Sequence, residues 1–432
     1  MRSFLTVWCA WLLVMAGANL ATALYALYAR QFHFSSLVLT TVFATYAVVL
    51  VPALIVFGRL SDRLGRRAVI ALGLGAAVAG LAVFAGAQSD VWLYAARGTQ
   101  GLAVGMISGA ATAALVELDP DDDRRRASLF AGLAQSGGSA AGPLLAGVLV
   151  QWAPAPRQLS YLIVLAATIV AGLLVLRLPE PAAGAREAWR IQVPRVPREV
   201  LGSFLRVSAT AGLVWATLSL FLSVVPTYAG DLLDTKNVAL LSTVAALSVA
   251  ASCAAQVVAR RFVAAGRPPQ ALGLTVLAVG LALLVAASPA HSLALLTLGS
   301  LAAGAGHGLA LINAQQELNE LAPPERRGEV TAAFVASIYF LVATSVIGVG
   351  LLDQVASLPV ALGLVAAVLI ALALSTAGWQ LRRGSDASTR SAPSSGPCRT
   401  RPSAARDHRG THTCRPRGTA FRPIPPTRRP SR

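Results

Sequence analysis

The chain has 432 residues, of which 55 % are hydrophobic and 13 % charged, with 37 glycines besides, whereas soluble domains carry about 25 % charged residues. So apolar a chain could not cover a water-facing surface, and collagen-like, disulfide-rich or wholly disordered polymers are excluded by the same figures. The net charge of +17 is localised: segment 382–432 holds 13 arginines and two aspartates, and Lys236 is the single lysine, so the charge marks a tail and flanking loops, not a nucleic-acid surface.

Crossing a bilayer takes about 20 apolar residues as a helix. Such stretches run over 4–28, 36–58, 68–88, 91–116, 128–151 and 159–176, then over 203–228, 238–259, 270–288, 291–315, 329–351 and 357–381. The short alternating segments of a β-barrel are absent. The first stretch is too long for the apolar region of a signal peptide and reads as an uncleaved helix. The expected fold is an all-α polytopic membrane protein of twelve transmembrane helices in two six-helix halves. Residues 1–176 form the first bundle, 177–202 a proline-bearing cytoplasmic linker, 203–381 the second bundle, and 382–432 a disordered Arg/Pro-rich cytoplasmic tail that transport does not require.

Basic residues give the orientation. With the N-terminus inside, nineteen lie in cytoplasmic loops before the tail and three outside (Arg30, Arg157, Lys236). Both termini are then cytoplasmic, in the cell's inner (cytoplasmic) membrane. Arg97 is left within a span.

Between the second and third stretches stands Gly58-Arg-Leu-Ser-Asp62-Arg63-Leu-Gly65-Arg66-Arg67. The glycines permit a tight turn, and one carboxylate sits among four guanidiniums. This resembles the loop signature of the major facilitator superfamily, with Ser61 as a mild departure. Two further matches support the resemblance. Arg97-Gly98-Thr99-Gln100-Gly101 is similar to the family's Arg-x-x-Gln-Gly. Gly138, Gly142, Pro143 and Gly147 are similar to its antiporter motif, with Ala146 and Leu129 standing where the longer pattern has glycines.

The resemblance implies a secondary transporter working by alternating access, with Asp62 and its arginines latching the cytoplasmic side near Gly328 and Glu329. It implies that Arg97, with Gln100 and Gly101, serves proton coupling or the cavity; snorkelling of Arg97 toward the outer interface is the alternative. On a helical wheel, Arg97, Gln100, Gly101, Val104, Ser108 and Thr112 share one small, polar arc. The family lines its cavity with helices 1, 4, 7 and 10, which nominates Asn19, Trp215, Ser219 and His307 as substrate contacts. Trp8 and Trp11 are either cavity or interfacial-belt residues. His307 is either a proton relay or a hydrogen-bonded packing residue.

No Asp or Glu lies deep in any span; Glu117, Asp231, Asp234 and Asp353 are peripheral. Strongly cationic substrates are therefore disfavoured, and neutral or mildly amphipathic ones fit better. Hydrolase elbow, His-Glu-x-x-His and P-loop patterns are missing, so the chain is read as no enzyme, with no cofactor and no metal site. The expected partners are a small-molecule substrate, protons as coupling ion and the lipid bilayer, with the protein acting as a monomer. Export by antiport is the expected direction. A sugar or metabolite symporter or facilitator is the alternative, and a non-transporting membrane sensor a more distant one.

Overall fold

The computed structural model describes residues 1–390 except 34, 122, 181–194, 265–268 and 322–325; at some further helical positions, Asp62 among them, only the backbone is described. The expectations for the tail beyond 390 and for the middle of the linker lie outside the described residues. Met1–Asp386 forms one compact unit, and Ala387–Arg432 is a second, described only as far as the last helix runs.

Among the described residues, twelve helices are long and apolar enough to cross a membrane, and no strand occurs. The first span is α1 (Arg2–Asn19) continued by α2 (Ala21–Phe32). It is followed by α3 (Ser36–Leu64), α4 (Arg66–Ala85), α5 (Asp90–Glu117), α6 (Arg124–Trp152) and α7 (Leu159–Leu176). After the linker, a 3-10 turn (Arg198–Val200) leads into α8 (Leu201–Ser223) and its continuation α9 (Val225–Leu232). The remaining spans are α10 (Val238–Ala264), α11 (Gln270–Ala290), α12 (Leu293–Leu321), α13 (Arg327–Leu352) and α14 (Leu358–Arg390).

Local chemistry sets the boundaries. Ser35 caps α3, its side chain accepting from the Val38 amide, and the Asn237 carboxamide accepts from the Leu240 amide at the start of α10 at 3.0 Å. Such side-chain acceptors satisfy amides that a helix start leaves unpaired. Gly65 ends α3 at φ 94°, a left-handed value that a glycine adopts without steric cost. Gly86–Ser89 divides the apolar region 78–116 that hydropathy alone splits least clearly.

The packing of α1, α2 and α4 repeats in α8, α9 and α11 with a fixed register. Tyr28 Oη donates to the carbonyl of Phe84, and Tyr228 Oη donates to that of Leu284; both pairs are 56 residues apart, and the second lies 200 residues after the first. The buried stripe of α4 includes Gly73, Leu74, Ala77, Gly80, Leu81 and Phe84, while that of α11 includes Gly273, Leu274, Leu277, Gly280, Leu281 and Leu284. The buried faces of α1 and α8 match in the same way, from Phe4, Val7 and Val14 to Phe204, Val207 and Val214.

Glycines bring the paired helices together. Gly101 and Gly105 of α5 lie against the α3 backbone at Tyr46 and Leu50, and Gly304 and Gly308 of α12 lie against the α10 backbone at Ser248 and Ser252. In lipid such small residues let helices approach closely enough for dispersion to hold them. Two buried apolar clusters draw all their members from between Phe4 and Val175, and the other two from between Phe204 and Ala377. Outward, α4, α7, α11 and α14 expose Leu72, Val170, Val279 and Leu364, a surface suited to hydrocarbon and not to water.

Candidate functional site

A cavity of about 260 Å³ lies between the helices, with walls drawn from both halves of the chain. It runs toward the arginine-rich end, where Thr112, Gln135 and Gln315 line it. At the opposite end the walls meet. Gly350 of α13 packs against Ser36, Leu37 and Thr40 of α3, Gly147 of α6 packs against Ser242 of α10, and the Val238 amide donates to Gln151 Oε1 at 2.9 Å.

Arg97 is 2 % exposed and lines the cavity wall. Its Nε donates to Tyr25 Oη at 2.5 Å, and one terminal nitrogen donates to the Ala18 carbonyl at 2.6 Å and to Gln100 Oε1 at 2.8 Å. The Tyr25, Phe43, Tyr46 and Phe84 rings surround the guanidinium carbon at 5.2 to 5.8 Å. Hydrogen bonds from a charged donor contribute roughly 1.5–3 kcal/mol each, and a desolvated cation over a ring gains about 2 kcal/mol or more. Together these offset a burial penalty of several kcal/mol. Arg97 is therefore turned into the first half of the chain and does not snorkel.

The polar arc of α5 divides. Arg97, Val104, Ser108 and Thr112 line the cavity, whereas Gln100 and Gly101 do not. Gln100 is turned toward α1, its Nε2 donating to the Gly17 carbonyl at 2.9 Å while its Oε1 holds Arg97. Gly101 has no side chain and is covered by the α3 backbone at Tyr46.

The nominated contacts Asn19, Trp215, Ser219 and His307 all line the cavity, as do Trp11 and Met15. Asn19 Nδ2 donates to the Met15 carbonyl at 2.9 Å and to Ser139 Oγ at 3.3 Å. Trp8 instead donates to the Phe130 carbonyl at 2.9 Å and stacks edge-on against that ring, which makes it a packing residue of α1 on α6. His307 is 2 % exposed, its Nδ1 lies 2.6 Å from Ser252 Oγ, and its ring meets Trp215 edge-to-face at 5.1 Å. Gln256 Nε2 donates in turn to Ser252 Oγ at 3.2 Å. No partner faces His307 Nε2 or Trp11 Nε1, and both atoms are shut off from water.

At the arginine-rich end, Ser61 accepts a 2.6 Å bond from Arg66 and donates to the Gly58 carbonyl at 2.9 Å, so this departure from the family pattern is used structurally. Arg66 pairs with Glu117 at the end of α5 at 3.3 Å. Arg67 donates through its amide to Glu180 Oε1 at 3.1 Å and through its side chain to the Leu178 carbonyl at 2.9 Å, and it pairs with Glu180 Oε2 at 3.5 Å. Glu180 was not among the sequence candidates; a lone glutamate between Pro179 and Pro181 carries no motif. Arg63 is exposed. The side chain of Asp62 and that of Gly328's neighbour Arg327 lie outside the described residues, so the expected latch at the start of α13 does as well.

Gly138 and Gly142 lie on the α1 backbone at Leu12 and Ala16, with Pro143 buried inside α6 beside them. A second ionic cluster had no sequence signal: Arg206 of α8, buried, pairs with Glu317 of α12 and donates to Gln380 of α14.

The family model described as Major Facilitator Superfamily matches residues 6–346. No curated protein sequence matches significantly. Among solved structures, the nucleoside transporter NupG is 13 % identical with a TM-score of 0.71, the match covering 88 % of this chain and 99 % of that one. A bacterial homologue of the human lysosomal transporter Spinster, in an inward-facing and unoccupied conformation, is 15 % identical with a TM-score of 0.65 over 89 % and 95 %. A D-xylose-proton symporter is 15 % identical with a TM-score of 0.67 over 87 % and 95 %. At these identities the likeness is one of fold.

Proposed function

Since the chain belongs to the Major Facilitator Superfamily and is a membrane transporter, not an enzyme, we propose that it exports small molecules by proton-coupled antiport across the cytoplasmic membrane. Two six-helix halves, 1–176 and 203–381, rock about the cavity and expose it to each side in turn. The observation that carries this reading is a cavity walled by both halves, reaching toward the arginine-rich end and closed at the other. With the arginine-rich end in the cytoplasm, the conformation is the one that loads substrate from inside. Gly58, Asp62, Arg63, Gly65, Arg66 and Arg67 control closure of that face, Arg97 polarises the cavity, and Gly138, Gly142, Pro143 and Gly147 shape α6 in the manner of family exporters. The protein works as a monomer.

The test uses everted vesicles acidified inside and a pH-sensitive dye, with lipophilic drugs, sugars, amino acids and organic acids added singly. Substrate-dependent proton release, lost in Asp62→Asn at equal membrane insertion, is expected. One observation favours a facilitator instead: no Asp or Glu occurs among the described residues lining the cavity, and a proton-coupled carrier needs a group that titrates. Substrate flux unaffected by collapsing the pH gradient would select that alternative.

A further inference from the structure

Among the described residues of the cavity wall Arg97 is the only ionised side chain, and its hydrogen-bond partners, Tyr25, Ala18 and Gln100, are neutral acceptors. The space beside it therefore feels an uncompensated positive field, and a low-dielectric surround transmits that field much farther than water would. The arrangement penalises an ammonium and rewards an anion.

Trp11 and His307 also line the wall, from opposite halves of the chain, and neither brings a negative charge that would offset the field. The rest of the nearby wall is ring and aliphatic surface, including Trp215, Phe43 and Tyr339.

We propose that this cavity is selective for organic anions: small amphiphiles with a carboxylate or similar acidic head in the field of Arg97 and an apolar body against the aromatic wall. The inference rests on the cavity being the transport site and narrows the substrate to a chemical class.

The probe is a matched series on one skeleton, 3-phenylpropanoate, 3-phenylpropanamide and 3-phenylpropylamine, titrated calorimetrically into the full chain in lipid nanodiscs. The carboxylate is expected to bind at least tenfold more tightly than the amine, with the amide between them. Arg97→Gln should lower carboxylate affinity about tenfold and leave the amide within twofold, while Arg97→Lys keeps the order. An amine that binds as well as the carboxylate, or no binding by any of the three, overturns the inference; both readings come from the unaltered protein and need no variant to fold. Binding in the expected order by a protein that moves none of the three in proteoliposomes defeats the transport reading and leaves the anion selectivity standing.

Discussion

Arg97 donates a 2.6 Å hydrogen bond to the carbonyl of Ala18, two residues before the Leu20 junction at which α1 gives way to α2. The cation of one helix is thereby fastened to the broken region of another, and Gln100 adds a parallel tie to Gly17.

Arg97→Gln should keep membrane insertion and lose at least tenfold in transport, because three bonds to α1, α2 and Gln100 are replaced by at most two weaker ones. Lysine at the same place retains the charge but not the fork of donors, and should fall between. Flux per inserted molecule, with insertion quantified by a C-terminal tag, checks the order.

The interface of α1 with α6 and that of α8 with α13 are related by the register repeat, yet the glycine sits on opposite partners. Gly138 of α6 faces Leu12, whereas Leu341 of α13 faces Gly212. An added methyl at Gly138 would strike the Leu12 main-chain carbonyl, while at Gly212 it would meet Leu341 Cδ2 at 3.0 Å, the movable end of a side chain. Gly138→Ala should therefore destabilise by about 1–3 kcal/mol and Gly212→Ala by clearly less. Thermal unfolding in detergent, followed by tryptophan fluorescence, reads the difference.

Across the closed end, the Val238 amide is held by Gln151. Gln151→Cys with Val238→Cys, in a background without the four native cysteines, should accept a short cleavable cross-linker. Transport is expected to stop on linking and return on cleavage. Undiminished transport with the link in place would mean that this end need not open.

A Cβ at Gly58 would meet nothing within 4 Å. Gly58→Ala should leave the thermal stability of this conformation unchanged or slightly raised, since alanine favours the helix, yet lower transport several-fold where the face must close. Equal flux in mutant and wild type would remove Gly58 from the closure.

Much of the fold was legible because a bilayer demands long apolar helices and arginines mark one side of it. The loop after α3 was legible because its turn requires Gly65. Neighbours were not. A helical wheel assigns Gln100 and Gly101 the same direction as Arg97, but cannot say that α1 will engage the first and α3 cover the second. Nor does hydropathy reveal the breaks at Leu20 and Val224, since apolar residues continue through both. Glu180 and Arg206 escaped for a related reason: each is defined by a partner more than a hundred residues away.

The 200-residue register also shows where the two halves part company. In α5 and α12 the glycine contacts leave that register by three residues, aligning Gly101 with Gly304 and Gly105 with Gly308, which sets Arg97 opposite Ser300 and Val104 opposite His307. The repeated frame thus carries a permanent cation on one wall and an imidazole on the other. A substrate passing between them meets two chemically unlike faces on one repeated scaffold, so grafting Arg97's counterpart position or His307's across the repeat offers a direct way to re-tune what the protein accepts.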